Sequence, residues 1–199
     1  MNGGYQGDAT NSLVGSAESN LITTGTVGTL YFDQTTPGTT NVIKNLTLSS
    51  GTATIGNSLN ITAGSSSGTV IVGTGAYLTT GDFLTLKSDA NGTASVGNSA
   101  GTISGNVTVE RYIPSKRAWR ALTAPVIGST NNSVFYNWQN NGTIVSNTGV
   151  EIWSNGSGLS GVTSGGIGSS LLSYDSISNN WSGVTNTNTT LLFSNNYNN

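Results

Sequence analysis

Apolar and polar residues alternate in short runs along the first half of the chain. The runs at 45–48, 59–62, 83–86 and 106–109 are NLTL, LNIT, FLTL and NVTV. An alternation with a period of two places every second side chain on one face, so each run predicts a β-strand with one buried face. Gly and Asn interrupt the runs at short intervals and favour tight turns. The pattern therefore predicts an all-β protein.

A rough repeat links three segments that are bounded by glycine. The segments 51–56, 68–73 and 92–97 are GTATIG, GTVIVG and GTASVG, and they start 17 and 24 residues apart. Repeats of about 20 residues built from short strands and turns are typical of β-solenoids. Residues 29–113 are therefore predicted to form β-solenoid-like (parallel β-helix) repeats. Because the spacing is uneven, an antiparallel β-sandwich stays open as the alternative for this half.

The two flanking regions differ from this repeat. Residues 1–28 are polar and Gly-rich, and we predict that they form a leader or cap. Ten of the fifteen aromatic residues lie in 112–199, and large rings need a wider core than a thin solenoid provides. Residues 114–199 are therefore predicted to form a β-sandwich-like module, either cut short or completed by strand addition from another copy. Its strand candidates are 118–123, 133–138, 149–153, 170–175 and 189–193.

The composition narrows the chemistry that the chain can perform. Gly, Thr, Ser and Asn make up 111 of the 199 residues, only 7% of residues are charged, the net charge is −2, and Cys and His are absent. The sequence therefore offers no disulfide framework, no thiol or imidazole metal ligand and no Ser-His-Asp triad. Without a surplus of basic residues, nucleic acid is not an expected partner. No apolar stretch approaches the roughly 20 residues of a membrane span.

The eight acidic residues leave one route to catalysis. Glycoside hydrolysis uses two carboxylates that flank the scissile bond. Here the acids are scattered, and only Asp82 and Asp89 lie close together, with Lys87 between them. We therefore expect no enzyme activity and no catalytic residue, and a polysaccharide lyase or hydrolase is the weaker hypothesis.

Most of the positive charge is concentrated in one short stretch, which also carries two aromatic rings. One interpretation is contact with an anionic glycan, with the tryptophan stacking on a sugar ring. The other is a junction between modules, in which the tryptophan closes the end of the solenoid core and Glu110 pairs with an arginine. A solenoid needs a cap at its end, which favours the junction. The residues of this basic cluster are Arg111, Tyr112, Lys116, Arg117, Trp119 and Arg120.

Two further features each allow a functional and a structural interpretation. Asp89 and Asn91 carry oxygen ligands suited to calcium, but two strong ligands are few for that ion, and an Asx-type turn at Asn91-Gly92 is the alternative. Trp138, Trp153 and Trp181 offer either a sugar-binding platform or a buried aromatic core, and buried tryptophan is the commoner case. We therefore expect no resident cofactor.

Two segments of the chain resemble a known group of proteins. Residues 83–126 contain LTLKSDANGTA, ISGNVTVERYIP and RAWRALTAPV, and residues 170–190 run from SLLSY through Trp181 to NTNTT. These blocks resemble large secreted proteins of Bacteroidetes that are exported by the type IX secretion system. The resemblance implies an adhesin-like or filament-forming protein, outside the cell or on its outer surface. It also implies O-glycosylation at Ser176, within Asp175-Ser176-Ile177. The C-terminal sorting domain of that group is not found in this sequence, and the first residues lack the basic and apolar regions of a signal peptide.

Together these observations lead to two hypotheses from different classes. The first is a non-enzymatic extracellular structural or adhesin module, which forms a stiff β-rich stalk or a self-assembling surface filament. Its partners are then other copies of the chain or neighbouring modules. The alternative is a carbohydrate-binding module on a secreted polysaccharide-processing protein, whose partner is a cell-surface or environmental polysaccharide.

Overall fold

The computed structural model describes residues 7–114, 119–122, 133–139, 150–165 and 168–190. The chain divides into two compact units, Met1–Ala118 and Trp119–Asn199.

The first unit is a β-solenoid of about four coils, so the solenoid prediction is confirmed and the antiparallel alternative is wrong for this half. Each coil contributes one strand to each of three parallel sheets. Sheet A has the order β1-β4-β7-β12, sheet B has β2-β5-β8-β13, and sheet C has β3-β6-β9-β14. Coil 1 consists of β1 (Asn20–Thr23), β2 (Gly28–Leu30) and β3 (Val42–Ile43); coil 2 of β4 (Asn45–Leu48), β5 (Thr52–Ile55) and β6 (Leu59–Ile61); coil 3 of β7 (Thr69–Val72), β8 (Tyr77–Thr79) and β9 (Leu84–Leu86). A short antiparallel hairpin, β10 (Ser88–Asp89) and β11 (Gly92–Thr93), precedes coil 4, which consists of β12 (Ser95–Val96), β13 (Thr102–Ser104) and β14 (Val107–Val109).

The register of sheet B shows a coil of 25 residues. Thr29 pairs with Thr54, Thr54 with Thr79, and Thr79 with Ser104. The 17-residue spacing in the sequence is therefore not a coil repeat, because segment 51–56 lies in sheet B whereas segment 68–73 lies in sheet A. Segment 92–97 begins in the hairpin strand β11 and continues into β12 of sheet A. The Gly-bounded motif corresponds to a tight corner followed by a strand, and this combination occurs in both sheet A and sheet B.

Alternation within each strand builds the core. In β5 the side chains of Ala53 and Ile55 are buried, while those of Thr52 and Thr54 lie on the outer face. Each inward side chain stacks on its register partner in the next coil, as Leu59 does on Leu84. Both of these leucines are fully buried, and burial of such a side chain stabilises the fold by about 1.5–3 kcal/mol. The narrow core is therefore a set of aliphatic columns shared by all coils.

Two glycines explain why the motif begins with Gly in segments 68–73 and 92–97. A Cβ at Gly68 would lie 2.2 Å from the backbone oxygen of Lys44, and one at Gly92 would lie 2.1 Å from the oxygen of Gly64. At both positions the chain passes too close to the backbone of an earlier segment for any side chain to fit. The glycine is thus required by the stacking of coils rather than by the strand that follows it.

The solenoid begins inside the segment that the sequence predicts as leader or cap. Strand β1 occupies Asn20–Thr23 and pairs in parallel with β4. Before it, Leu13 pairs with Phe32, and its N–H donates to the Tyr31 oxygen at 2.8 Å. This leading segment therefore lies against coil 1 through backbone hydrogen bonds.

The described part of the second unit is less regular. It contains α1 (Val134–Asn137), β15 (Trp153–Ser154), β16 (Thr163–Ser164), β17 (Leu172–Asp175) and β18 (Asn180–Gly183). The strand candidate 133–138 is wrong, because Ser133 caps a single helical turn by accepting from the Tyr136 N–H at 3.4 Å. The candidate 170–175 is present as β17. The described strands form two two-stranded sheets, one parallel and one antiparallel, and the β-sandwich stays a prediction.

One inward position in sheet A carries a polar side chain. Thr23 shares a column with Leu48 and Val72, and it is fully buried. Its hydroxyl has no hydrogen-bond partner among the residues that the structure describes. We predict that Thr23→Val raises the free energy of unfolding by about 1 kcal/mol. Valine has a volume similar to that of threonine, and the substitution removes a buried hydroxyl that has no hydrogen-bond partner among the described residues. Urea denaturation measures the change.

Thr80→Val is the matched control for this prediction. Thr80 is equally buried, but its hydroxyl donates to the Asn106 oxygen at 2.8 Å. Its replacement should lower the free energy of unfolding by about 1 kcal/mol or more. Equal losses in both variants would show that the Thr23 hydroxyl is satisfied.

Candidate functional site

Polar side chains on the solenoid surface join successive coils. The amide of Asn57 forms two hydrogen bonds to the backbone of Phe32 in the preceding coil: its Oδ1 accepts from the N–H and its Nδ2 donates to the oxygen, both at 2.8 Å. On sheet A, Asn45 Nδ2 donates to Asn20 Oδ1, and Asn45 Oδ1 accepts from the Thr69 N–H at 3.0 Å. These side chains extend the coil-to-coil connection beyond the strands themselves.

Two ion pairs also cross between coils. Lys44 contacts Glu18 at 3.2 Å, and Lys87 contacts Glu110. Glu110 also accepts from the Ser88 N–H at 3.2 Å. The coil register brings the lysine of the preceding coil to the Glu110 carboxylate. The expected pairing of Glu110 with an arginine stays a prediction, since Arg117 lies outside the described residues. Exposed pairs of this kind contribute little stability.

Among the residues that the structure describes, coil 4 supplies the last strand of each of the three sheets. The N–H of Glu110 donates to the Leu86 oxygen at 3.0 Å, so by alternation the backbone groups of Val107 and Val109 point away from coil 3. The same argument applies to Ile103 and Val96. Val96 is 43% exposed, and the other three side chains are only partly buried. Coil 4 therefore combines outward backbone groups with apolar side chains that are incompletely covered.

The described residues of the basic cluster are exposed. Arg111 Nη1 donates to the Glu110 backbone oxygen at 3.2 Å, and the N–H of Tyr112 donates to Ser88 Oγ at 2.9 Å. Trp119 is 77% exposed, and Arg120 is also at the surface.

The remaining two members of the cluster, Lys116 and Arg117, lie outside the described residues. The choice between a glycan contact and a module junction for this cluster stays a prediction.

The Asp89–Asn91 segment forms the turn of the β10–β11 hairpin. Asp89 Oδ1 accepts from the N–H groups of Asn91 and Gly92 at 2.7 and 3.0 Å, which is an Asx-type turn. Asp82 Oδ1 accepts from the Asn106 N–H at 2.7 Å and so holds the next coil. Within the described ranges, no group of three or more acidic side chains is placed to hold a metal ion.

The β17–β18 hairpin of the second unit carries an exposed aromatic pair. Tyr174 lies opposite Trp181 in the register, with ring centroids 5.0 Å apart and planes tilted by 47°. The rings are 49% and 59% exposed, and the Tyr174 hydroxyl donates to Asn179 Oδ1. The interpretation of Trp181 as a buried core residue is therefore wrong, and Trp153 is also 40% exposed. Sequence reasoning missed Tyr174, whose pairing depends on the hairpin register.

Ser176 lies at the tip of this hairpin, where it is exposed. Asp175 orders the tip: its carboxylate accepts from the Ile177 N–H at 2.9 Å and from the Ser178 hydroxyl at 2.6 Å. The hydrogen bond from Ser178, followed by that from the Ile177 backbone, lowers the pKa of Asp175 from its ordinary value. The neighbouring Ile177 side chain is 96% exposed. O-glycosylation of Ser176 stays a prediction on an accessible, ordered turn.

Comparison with protein-family models, curated proteins and solved structures finds no match to this chain. In the described part of the chain, no helix has the length and apolar character needed to cross a membrane.

Proposed function

We propose that the chain is a non-enzymatic extracellular structural or adhesin module, which serves as a segment of a stiff β-rich stalk or as a subunit of a self-assembling surface filament. The observation that carries the proposal is the continuous register of three parallel sheets through four coils. In such a stack each coil contacts only its neighbours, so the structure can be extended by adding coils or copies at an end.

The short length of the solenoid favours assembly with other modules or copies over a stalk formed by a single chain. Parallel strands lie about 4.8 Å apart, so four coils advance only about 20 Å along the solenoid axis. A stalk of useful length then needs neighbouring modules or further copies in line. The outward backbone groups of coil 4 and the 43% exposed side chain of Val96 are suited to that contact.

The surface chemistry also favours a structural role. Only 7% of the residues are charged, and the outer faces of the sheets carry mainly Thr, Ser and Asn. Side-chain amides such as that of Asn57 tie adjacent coils together. A load along the solenoid axis would therefore be shared by three sheets and by these side-chain links.

Negative-stain electron microscopy of the purified chain over a concentration series tests this function. We predict short rods or filaments whose length grows with concentration. Val96→Lys should shorten them while leaving the thermal unfolding midpoint nearly unchanged, because a charged side chain at a strand edge opposes edge pairing.

Ile71→Lys is the control for that measurement. Ile71 is 37% exposed on the outer face of β7, where its side chain lies beside Gly97 and not on the outward strand edge of coil 4. Filaments of this variant should match those of the parent chain. Isolated particles at every concentration, for the parent chain as well, would contradict self-assembly.

The exposed aromatic pair of the second unit favours one alternative, a carbohydrate-binding module on a secreted polysaccharide-processing protein. Tyr174 and Trp181 present ring surface on an antiparallel hairpin whose described residues are mostly exposed. Aromatic rings of this kind can stack on the apolar faces of sugars while their polar atoms stay hydrated.

A glycan array followed by titration calorimetry discriminates this alternative. We predict that Trp181→Ala abolishes detectable binding, and that Trp181→Phe retains part of it because a ring remains. Tyr136→Ala, at a 42% exposed ring on α1, is the control and should bind normally. An array without hits, or binding unchanged in Trp181→Ala, would exclude the hairpin as a sugar site.

A further inference from the structure

The outer face of sheet B carries two columns of hydroxyl side chains in register. The first column runs through all four coils, and the second runs through coils 2 to 4 with a tyrosine at its centre. We call this surface the threonine face. Its residues are Thr29, Thr54, Thr79 and Ser104 in the first column and Thr52, Tyr77 and Thr102 in the second.

The hydroxyls of the threonine face are available to a ligand. In the ranges that the structure describes, none of these seven side chains forms a hydrogen bond to the protein. Elsewhere on the solenoid many hydroxyls are already used: Thr80 donates to Asn106, and Ser99 accepts from the Val72 N–H. Each hydroxyl of the face can donate one hydrogen bond and accept two. The face is thus a two-dimensional array of donors and acceptors that internal contacts do not use.

Aromatic rings lie within and beside this array. Tyr77 is 43% exposed in the middle of the second column, and Phe83 is 44% exposed near the corner to sheet C. Glycines occupy the next outward positions: a Cβ at Gly56 would lie 2.7 Å from the Tyr31 ring, and one at Gly81 would lie 3.0 Å from the Phe83 ring. The rings of Tyr31 and Phe83 therefore lie close against the sheet.

The charge and spacing of the face indicate the chemistry of its partner. Neither column contains a charged residue, which argues against a phosphate-rich or sulfated ligand. Hydroxyls repeat about every 4.8 Å across the coils and about every 7 Å along a strand. A partner that matches such an array is uncharged, extended, rich in hydroxyls and offers apolar faces to the rings.

We propose that the threonine face binds an uncharged, extended β-linked polysaccharide. Successive sugars would exchange hydrogen bonds with successive coils, and Tyr77 would stack on the C–H face of one sugar ring. Ordered water at an ice surface is a different partner, and the ring of Tyr77 in the middle of a column opposes the flat contact that ice requires. This inference goes beyond the stalk or filament function. The columns of the threonine face end on β13 of coil 4, and none of its residues belongs to the β17–β18 hairpin.

The test is a binding assay with microcrystalline cellulose, xylan and cellohexaose, the last by calorimetry. We expect binding to at least one of these glycans. The affinity should change little between low salt and 1 M NaCl, where the Debye length is about 3 Å, because no charged side chain of the threonine face takes part. Tyr77→Ala and the double variant Thr54→Val/Thr79→Val should each weaken binding about tenfold or more, since they remove ring contact or two hydroxyls.

Matched controls keep the result specific to this face. Thr85→Val/Thr108→Val removes two hydroxyls from the outer face of sheet C, where they pair with each other in the register, and should bind like the parent chain. Trp181→Ala should also leave this binding unchanged. The proposal is overturned if the chain binds none of the three glycans, or if it shows thermal hysteresis of ice growth without glycan binding. It is also overturned if Tyr77→Ala binds as well as the parent chain, or if glycan binding is lost only in Trp181→Ala. Filament formation is scored separately, so either proposal can fail alone.

Discussion

The structure depends on one constraint: successive coils must stack in register so that parallel strands can form hydrogen bonds with each other. In sheet B this register repeats every 25 residues, from Thr29 through Thr54 and Thr79 to Ser104. Once it is set, each inward side chain meets the equivalent side chain of the next coil. The core then has room only for aliphatic columns, and the corners where backbones meet, such as Gly68 against Lys44, have room only for glycine.

The same constraint explains what the sequence could and could not predict. The alternation in segments such as 45–48 and 59–62 predicted strands correctly, because burial of one face depends only on neighbours along the chain. The register could not be predicted in this way. Segment 51–56 resembles segment 68–73 in sequence, yet the two lie in different sheets. Sheets A and B both require a tight glycine corner followed by a strand with Thr on its outer face, so the motif does not distinguish between them.

Candidate surfaces were harder to predict than the fold. Exposure of Trp181 and its pairing with Tyr174 follow from the hairpin turn at 176–179, where Asn179 has a positive φ of 53°. The threonine face becomes visible only when residues 25 positions apart are aligned. The short helix at Val134–Asn137 was missed because a Ser N-cap outweighed the strand propensity of the Val-Phe-Tyr run that follows it. Such sites depend on contacts between distant residues, and local patterns do not contain that information.

The absence of native cysteine permits a direct test of the coil register, which is the central claim. Disulfides require Cα atoms about 4.4–6.8 Å apart, and paired strands of a parallel sheet meet that condition. The double variant Thr54→Cys/Thr79→Cys should form an intramolecular disulfide on mild oxidation of the folded chain, as detected by mass spectrometry. The double variant Thr54→Cys/Ile71→Cys, which follows the 17-residue spacing of the sequence motif, should stay reduced. Crosslinking in the second variant and not in the first would contradict the 25-residue stack.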